Sequence, residues 1–180
     1  VITAIPDNGQ GSLTALTIMA ANALDLPPES IRIRMGDTLD APFDYMGAGV
    51  NRVTYITGTA LRGASAQLKK ILEDVSKEAQ IPYSFETANN LALLADWHNV
   101  SKGGPLPSAE YMFRPKELDP LPTFAAHFAE VEVSIDTGEV KVLNYVAAQD
   151  LGEIINPDSC ILQVEGGVYH AIGMALFEEL

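Results

Sequence analysis

The residues of this sequence best suited to chemistry are amides and glycines, not acids, bases or thiols. Gly9, Gln10 and Gly11 make a Gly-Gln-Gly step in "DNGQGSLTALTIMAANAL", at the mouth of an apolar-periodic segment. A second glycine-bearing stretch, "MGAGVNRVTY", carries Gly49, Val50, Asn51, Arg52 and Thr54. A third, "NPDSCILQVEGGVYHAIG", carries Gln163 beside Gly166, Gly167 and Gly173. Glycine lets a backbone approach a ligand closely, and a helix N-terminus offers N–H groups to an anion. A glutamine amide supplies donors and an acceptor, which suits hydrogen bonding to a polar ligand. Gln163 is also compatible with a plain buried glutamine satisfied by neighbouring backbone. Neither Gly-x-x-x-x-Gly-Lys-Ser/Thr nor Gly-x-Gly-x-x-Gly occurs, so the common phosphate loops are excluded.

Other chemistry is thin. His98, His127 and His170 are scattered without metal-ligand spacing. His127 alternates on a strand and reads as a surface or edge residue. Ser12, Ser84 and Ser108 lack a nucleophile elbow. Glu130 and Glu132 share one strand face and read as solvated charges, not as an acid/base pair. The single cysteine, Cys160, cannot alone bridge, hold zinc or ligate an iron–sulfur cluster. It reads as a small buried apolar residue and fits a reducing, cytoplasmic setting.

The elements that must position these residues follow from periodicity. Val1 to Ile5 is a strand, and Asp7 to Gly11 a turn. Leu13, Leu16, Ala20, Ala23 and Leu24 recur at helical spacing. Ser12 is the expected N-cap and Pro27-Pro28 the stop. Ile31, Ile33 and Met35 alternate with Arg32 and Arg34 as a half-buried strand. Gly36 to Gly49 is a long loop of Asp, Pro and Gly, a type that is usually functional or disordered. Leu61, Ala64, Leu68, Ile71, Leu72, Val75 and Ala79 then fall on one helix stripe, with Lys69, Lys70, Glu73, Asp74 and Lys77 off it. From Gln80 to Pro122 periodicity is poor and prolines are frequent. That segment reads as an irregular connector, either dividing two lobes or wrapping over a surface.

Phe124 to Gln149 reads as a hairpin turning at "DTGE". Asn156-Pro157 starts a buried helix that runs toward Leu180. Its three glycines cost about 1 kcal/mol each against alanine, so close approach of a backbone or ligand is expected to recover the loss. The fold class is therefore α+β: helices packed on mixed or antiparallel sheet, as strand–turn–helix repeats. Residues 1–79 form a first strand–helix half, 80–122 a connector, and 123–180 a hairpin plus helix.

The chain has 180 residues, nearly half of them hydrophobic, and a formal net charge of −13. This is a folding composition. The charge repels phosphates, which argues against nucleic acid and anionic membranes. No apolar run is long enough to span a bilayer. The sequence opens inside a strand without an initiator methionine and stops inside a helix, as expected of a piece of a longer polypeptide.

The ordered set resembles the molybdopterin-binding subunit of the molybdenum hydroxylases: the xanthine dehydrogenase, aldehyde oxidase and carbon monoxide dehydrogenase family. The set comprises the Gly-Gln-Gly turn, "LPPESIRIRMGDT", the loop into "GVNRVTY", "FAAHFAEVEVSIDTGEVKVLNYVAAQDLGEIINP" and the glutamine helix. The resemblance spans essentially the whole chain. It implies that Gly9, Gln10 and Gly11 approach the molybdenum oxo group and the dithiolene–phosphate end of the cofactor. It implies that Gly49, Val50 and Asn51 pass under the metal and pterin with their backbone, that Arg52 to Thr54 add contacts, and that Gln163 hydrogen-bonds the pterin. The metal would be held by the cofactor's own sulfurs, so no protein metal ligand is expected.

The implied activity is hydroxylation of an aldehyde, purine or other N-heterocycle, or oxidation of carbon monoxide, with water as the oxygen source. The implied partners are the rest of the polypeptide, a small-molecule substrate, and 2Fe-2S and FAD in other domains or subunits. No catalytic residue is expected within the chain. The family's glutamate base, in a Gly-x-Gly-Glu-type turn, would lie beyond Leu180, and the chain alone is expected to be inactive. Two departures stand out: Val50-Asn51, where a small residue and then Gly or Ser are frequent, and His170, where the helix usually carries Gln. Two other readings are a non-catalytic relative that keeps the cradle, and an unrelated small-ligand-binding domain.

Overall fold

The computed structural model describes residues 1–44, 46–101, 108–115 and 122–179, with 98–101 described by backbone alone. The described residues divide into two units, Val1–Lys116 and Glu117–Leu180.

The first unit is organised on a small apolar cluster. Ile5, Leu16 and Val53 are buried together, with Ile33, Ala48 and Leu61 packed at their edge. Strand β1 (Ile2–Thr3) runs parallel to β2 (Arg34–Met35). Both are shorter than the sequence pattern suggests, and the alternation holds only in part: Ile31 and Ile33 are half-buried while Arg32 and Arg34 are exposed, but Met35, expected on the buried side, is exposed as well. Helix α1 (Ser12–Leu24) lies between them in the chain and buries Leu16, Met19, Ala20, Ala21 and Leu24. It ends before the prolines. Asp25 adopts a left-handed φ of 50°, and the Tyr83 hydroxyl donates to the freed Leu24 carbonyl at 2.5 Å. Lys69 ion-pairs with Asp25 at 2.5 Å, which ties this helix end to the next helix.

A π-helical turn, Val53–Thr57, runs into helix α2 (Gly58–Ala79) with helical backbone at the junction. Of the expected α2 stripe, Leu72 is buried, Ala79 is exposed and the rest are half-buried. Gly58 sits where α1 and α2 touch: a Cβ there would fall 2.4 Å from Met19 Cε.

The expectation of an irregular connector over 80–122 is corrected between Phe85 and Ser101, which form helix α3. Leu91 and Ala95 are buried among its described side chains. Exposed Phe85, Leu93 and Trp97 lie on other faces, so the apolar residues ring the helix and erase the period that would have announced it. Ser84 begins the turn, with its N–H donated to Thr87 Oγ1 at 2.9 Å. Residues 108–115 carry no regular structure but wrap onto the first unit. The Tyr111 ring lies over Gly63, and Phe113 meets Tyr55 edge-on at 5.8 Å. Residues 102–107 and 116–121 of the expected connector lie outside the described residues.

The second unit is an antiparallel hairpin, β3 (Ala125–Val133) and β4 (Val140–Gln149), followed by helix α4 (Pro157–Leu176). A bulge in β4 shifts the register between Glu130 and Val131. Glu130 then opposes Asn144 and Glu132 opposes Lys141. Asn144 Nδ2 donates to Glu130 at 2.6 Å, and both glutamates are exposed, as solvated charges are. Asn156 caps α4 as the sequence suggests, accepting the Ser159 N–H at 3.3 Å with Pro157 following. The expected burial of this helix is corrected: no α4 residue is buried. Its only packing partner among the described elements is β4, and two strands offer too little surface to enclose a helix of this length.

Candidate functional site

The Gly-Gln-Gly turn is held by a carboxylate upstream of it. Asp7 Oδ1 accepts the Gly9 N–H at 2.9 Å, and Asp7 Oδ2 accepts the Leu13 N–H at 3.1 Å. Gly9 and Gly11 both take left-handed φ values, 96° and 79°, which a side chain would resist. Gly11 is the N-cap. The expected cap, Ser12, is the first helical residue and is buried, because the left-handed Gly11 carries the chain into the helix one residue earlier. The Leu13 N–H, then the Gly9 N–H, hold the Asp7 carboxyl below the usual carboxylate range. A negative group therefore already sits at the α1 N-terminus, and this helix end does not suit a phosphate.

Gln10 is exposed. Its Oε1 accepts the Asn8 N–H at 2.7 Å, and its Nε2 donates to Ser12 Oγ at 2.7 Å. The amide braces the turn and keeps one N–H free of these bonds.

The second candidate stretch is a strained turn. Val50 and Asn51 both adopt left-handed backbone, φ 42° and 57°. Asparagine tolerates that region, whereas a β-branched residue there is an outlier of the kind found at ligand clamps. Val50 is 100% exposed, so nothing packs on it within the described residues. The turn closes through Arg52 N–H to Gly49 O at 2.8 Å. Thr54 lies half-buried in the π-helical turn beside buried Val53, and Val53 joins Leu16 and Ile5 in the core. The structure thus anchors the Gly-Gln-Gly helix and the Gly49–Thr54 stretch on one cluster.

Arg52 turns its side chain into the loop that precedes it. Its Nη2 pairs with Asp44 Oδ2 at 2.7 Å and its Nη1 donates to Gly47 O at 2.8 Å. Sequence reasoning missed Asp44, whose only signal was its place in a long Asp-rich loop. Tyr45, within that loop, lies outside the described residues.

Gln163 belongs to the second unit and is exposed on α4, which removes the reading of a buried, backbone-satisfied amide. Gly166 and Gly167 would carry a Cβ into space with nothing within 4 Å, and Gly173 would meet only Glu178 at 3.6 Å. The glycines of α4 are thus open to a group from outside the described residues. Cys160, expected buried, is half-buried in the same helix. His127 is exposed between Tyr145 and Gln149, both at 3.0 Å. His170 is exposed on α4, and the His98 side chain lies outside the described residues.

The donor set fits a molybdopterin group in one respect and not in another. Gly9, Gly47 and Gly49 have nothing within 4 Å of a notional Cβ, so a planar ligand could lie against the backbone. Among the described residues no group of three or more His, Cys, Asp or Glu side chains could hold a metal, so a metal here would need ligands of its own. The capped α1 N-terminus is the part that does not fit an anion. Among the described residues no helix is long and apolar enough to cross a membrane.

Comparison with known proteins identifies the family. The chain is 32% identical over 188 residues to the aldehyde oxidoreductase molybdenum-binding subunit PaoC of Escherichia coli (strain K12), covering 100% of this chain and 25% of that protein. It is 29% identical over 198 residues to the nicotine 6-hydroxylase large subunit of Paenarthrobacter nicotinovorans, covering 100% of this chain and 24% of that protein. The chain therefore spans about a quarter of the length of these curated relatives. The fold matches a crystal structure of the Cu,Mo-CO dehydrogenase in its carbon monoxide reduced state, with a TM-score of 0.76 at 24% identity over 92% of this chain and 23% of that one. The family model for the molybdopterin cofactor-binding domain matches residues 1–180, which sets aside an unrelated ligand-binding domain. The chain belongs to the molybdopterin cofactor-binding domain family.

Proposed function

We propose that this chain forms part of the molybdopterin site of an oxidoreductase that hydroxylates an aldehyde, a purine or another N-heterocycle, or oxidises carbon monoxide, with water as the oxygen source. The observation that carries the reading is the Gly49–Asn51 turn. It is a strained backbone step, open above, anchored on the same core as the Gly-Gln-Gly helix. Strain of this kind is kept where a backbone must meet a ligand.

When bound, the cofactor would supply two-electron redox chemistry and a route for oxygen from water into the substrate. The chain's own residues would bind and orient. Gly9, Gly11, Gly49, Val50 and Asn51 would present backbone, and Thr54 would support them from the π-helical turn. Gln10 would offer its remaining amide N–H toward the reacting end, and Gln163 would pair with a heterocycle edge. Iron–sulfur and flavin groups would sit in other domains or subunits and carry the electrons away. The single, half-buried cysteine supports a reducing, cytoplasmic setting.

The test is turnover of the full-length protein with an aldehyde, a purine, an N-heterocycle and carbon monoxide in oxygen-labelled water, with a dye as electron acceptor. Label in the product of one class is the expected result. Full cofactor loading with no turnover on any class would favour a non-catalytic relative, and label arriving from dioxygen would contradict the proposal.

A further inference from the structure

The geometry points to Asp44 and Arg52 as positioning residues that hold the Gly49–Asn51 turn in its left-handed form for the cofactor. Four observations meet here. Val50 takes a φ of 42° while its side chain is 100% exposed, so its own packing does not hold the turn. Arg52, next after the two left-handed residues, sends one terminal nitrogen to Asp44 at 2.7 Å and the other to the Gly47 carbonyl at 2.8 Å. Asp44 Oδ1 accepts the N–H groups of Met46 and Gly47, both at 3.0 Å. The two side chains are only 14% and 15% exposed, so the pair is shielded from water and salt.

One ion pair therefore fixes both arms of the loop, while buried Val53 fixes its exit. With one N–H of each terminal nitrogen engaged inside the loop, Arg52 shapes the turn that a ligand would meet. A fork-shaped guanidinium can bridge a carboxylate and a carbonyl together, which a lysine ammonium does less well.

This inference rests on the proposed molybdopterin site. Its test compares wild-type full-length protein with Arg52→Lys, Arg52→Ala, Asp44→Asn, the double variant Asp44→Asn/Arg52→Ala, and the exchanged pair Asp44→Arg/Arg52→Asp. Two quantities are read: hydrogen exchange of the 44–52 backbone in cofactor-free protein, and pterin retained per chain. Faster exchange over 44–52 is expected in each single variant, with α2 unchanged. Retained pterin should fall about 10–100-fold, as when an outer supporting residue is lost. The double variant should be no worse than the worse single one, and the exchanged pair should recover little, because an arginine at position 44 cannot accept the Met46 and Gly47 N–H groups and an aspartate at position 52 cannot donate to the Gly47 carbonyl. Arg52→Lys keeps the charge and should fall between, which keeps the test open should Arg52→Ala not fold. Unchanged exchange would overturn the clamp. Faster exchange with wild-type pterin retention would overturn its role toward the cofactor. Wild-type protein that never holds pterin would overturn the site reading itself, and with it that role.

Discussion

The Asp7 carboxylate reaches across the Gly-Gln-Gly turn to the Leu13 N–H at 3.1 Å, and so joins the segment that follows β1 to the first turn of α1. The bond satisfies an N–H that has no partner within the helix, and it does so from outside the helix. It also decides what the helix end can bind, because a carboxylate is already there.

Asp7→Ala should therefore cost about 1 kcal/mol of stability, in the range for loss of a helix cap. Asp7→Asn should keep only part of it, since one amide oxygen can replace just one of the two carboxylate oxygens that accept the Gly9 and Leu13 N–H groups. Denaturant unfolding of the two variants checks this, and equal losses would mean that a single neutral acceptor at this position contributes nothing.

Parts of this were legible in the sequence, for physical reasons. The α2 stripe was, because its apolar residues keep one face and its charges the other. Asn156-Pro157 was, because cap and first helical residue are adjacent. Asp7 was not legible as the cap, since it acts five residues ahead of the helix through a glycine turn. Helix α3 was hidden by exposed Leu93 and Trp97, which break the period. The Asp44–Arg52 pair was hidden although the two lie only eight positions apart, because the loop between them has no period that would bring two side chains together. The exposure of α4 was not readable either, because a broad apolar face in sequence does not say which partner covers it.

Two glycines should respond in opposite ways. Alanine in place of a mid-helix glycine gains about 1 kcal/mol in propensity. At Gly63 the new Cβ would fall 2.6 Å from the Tyr111 ring, and overpacking of this kind costs about 1–3 kcal/mol. Gly63→Ala is thus expected to lower or leave unchanged the unfolding midpoint. At Gly166 the described residues leave open space, so Gly166→Ala should raise helix stability in cofactor-free protein while lowering the amount of pterin held. A gain at Gly63, or no effect of Gly166→Ala on pterin content, would contradict the packing described.

Acid should weaken the site through two carboxylates. Backbone N–H groups, that of Leu13 foremost, lower Asp7. For Asp44, burial raises the pKa, but the Arg52 guanidinium and the Met46 and Gly47 amides outweigh it and leave the group lowered. Each therefore contributes stability that is fully present above the unfolded aspartate pKa of about 4 and is lost as pH falls from there through the lower folded value. Unfolding free energy measured between neutral pH and pH ~3 should drop in that acid window, with a shallower drop in Asp44→Asn. Identical slopes for wild type and Asp44→Asn would remove Asp44 from the account.

Gln10→Ala separates bracing from catalysis. Its two bonds lie in an exposed turn, so their loss should cost about 0.5–1 kcal/mol of stability. Loss of a preorganised donor to the reacting centre would instead cost about 10²–10³ in rate. Steady-state kinetics and thermal unfolding of the same fully loaded variant distinguish the two. Unchanged turnover would leave Gln10 as a brace for the turn and nothing more.

The central claim is that these residues help to hold a molybdenum–pterin group. The direct measurement is metal analysis of the purified full-length protein, together with fluorescence of its released and oxidised pterin. Molybdenum and pterin are expected in equal amounts approaching one per chain, both falling together in Arg52→Lys. Full-length protein made in cells competent for cofactor synthesis, yet carrying neither molybdenum nor pterin, would contradict it.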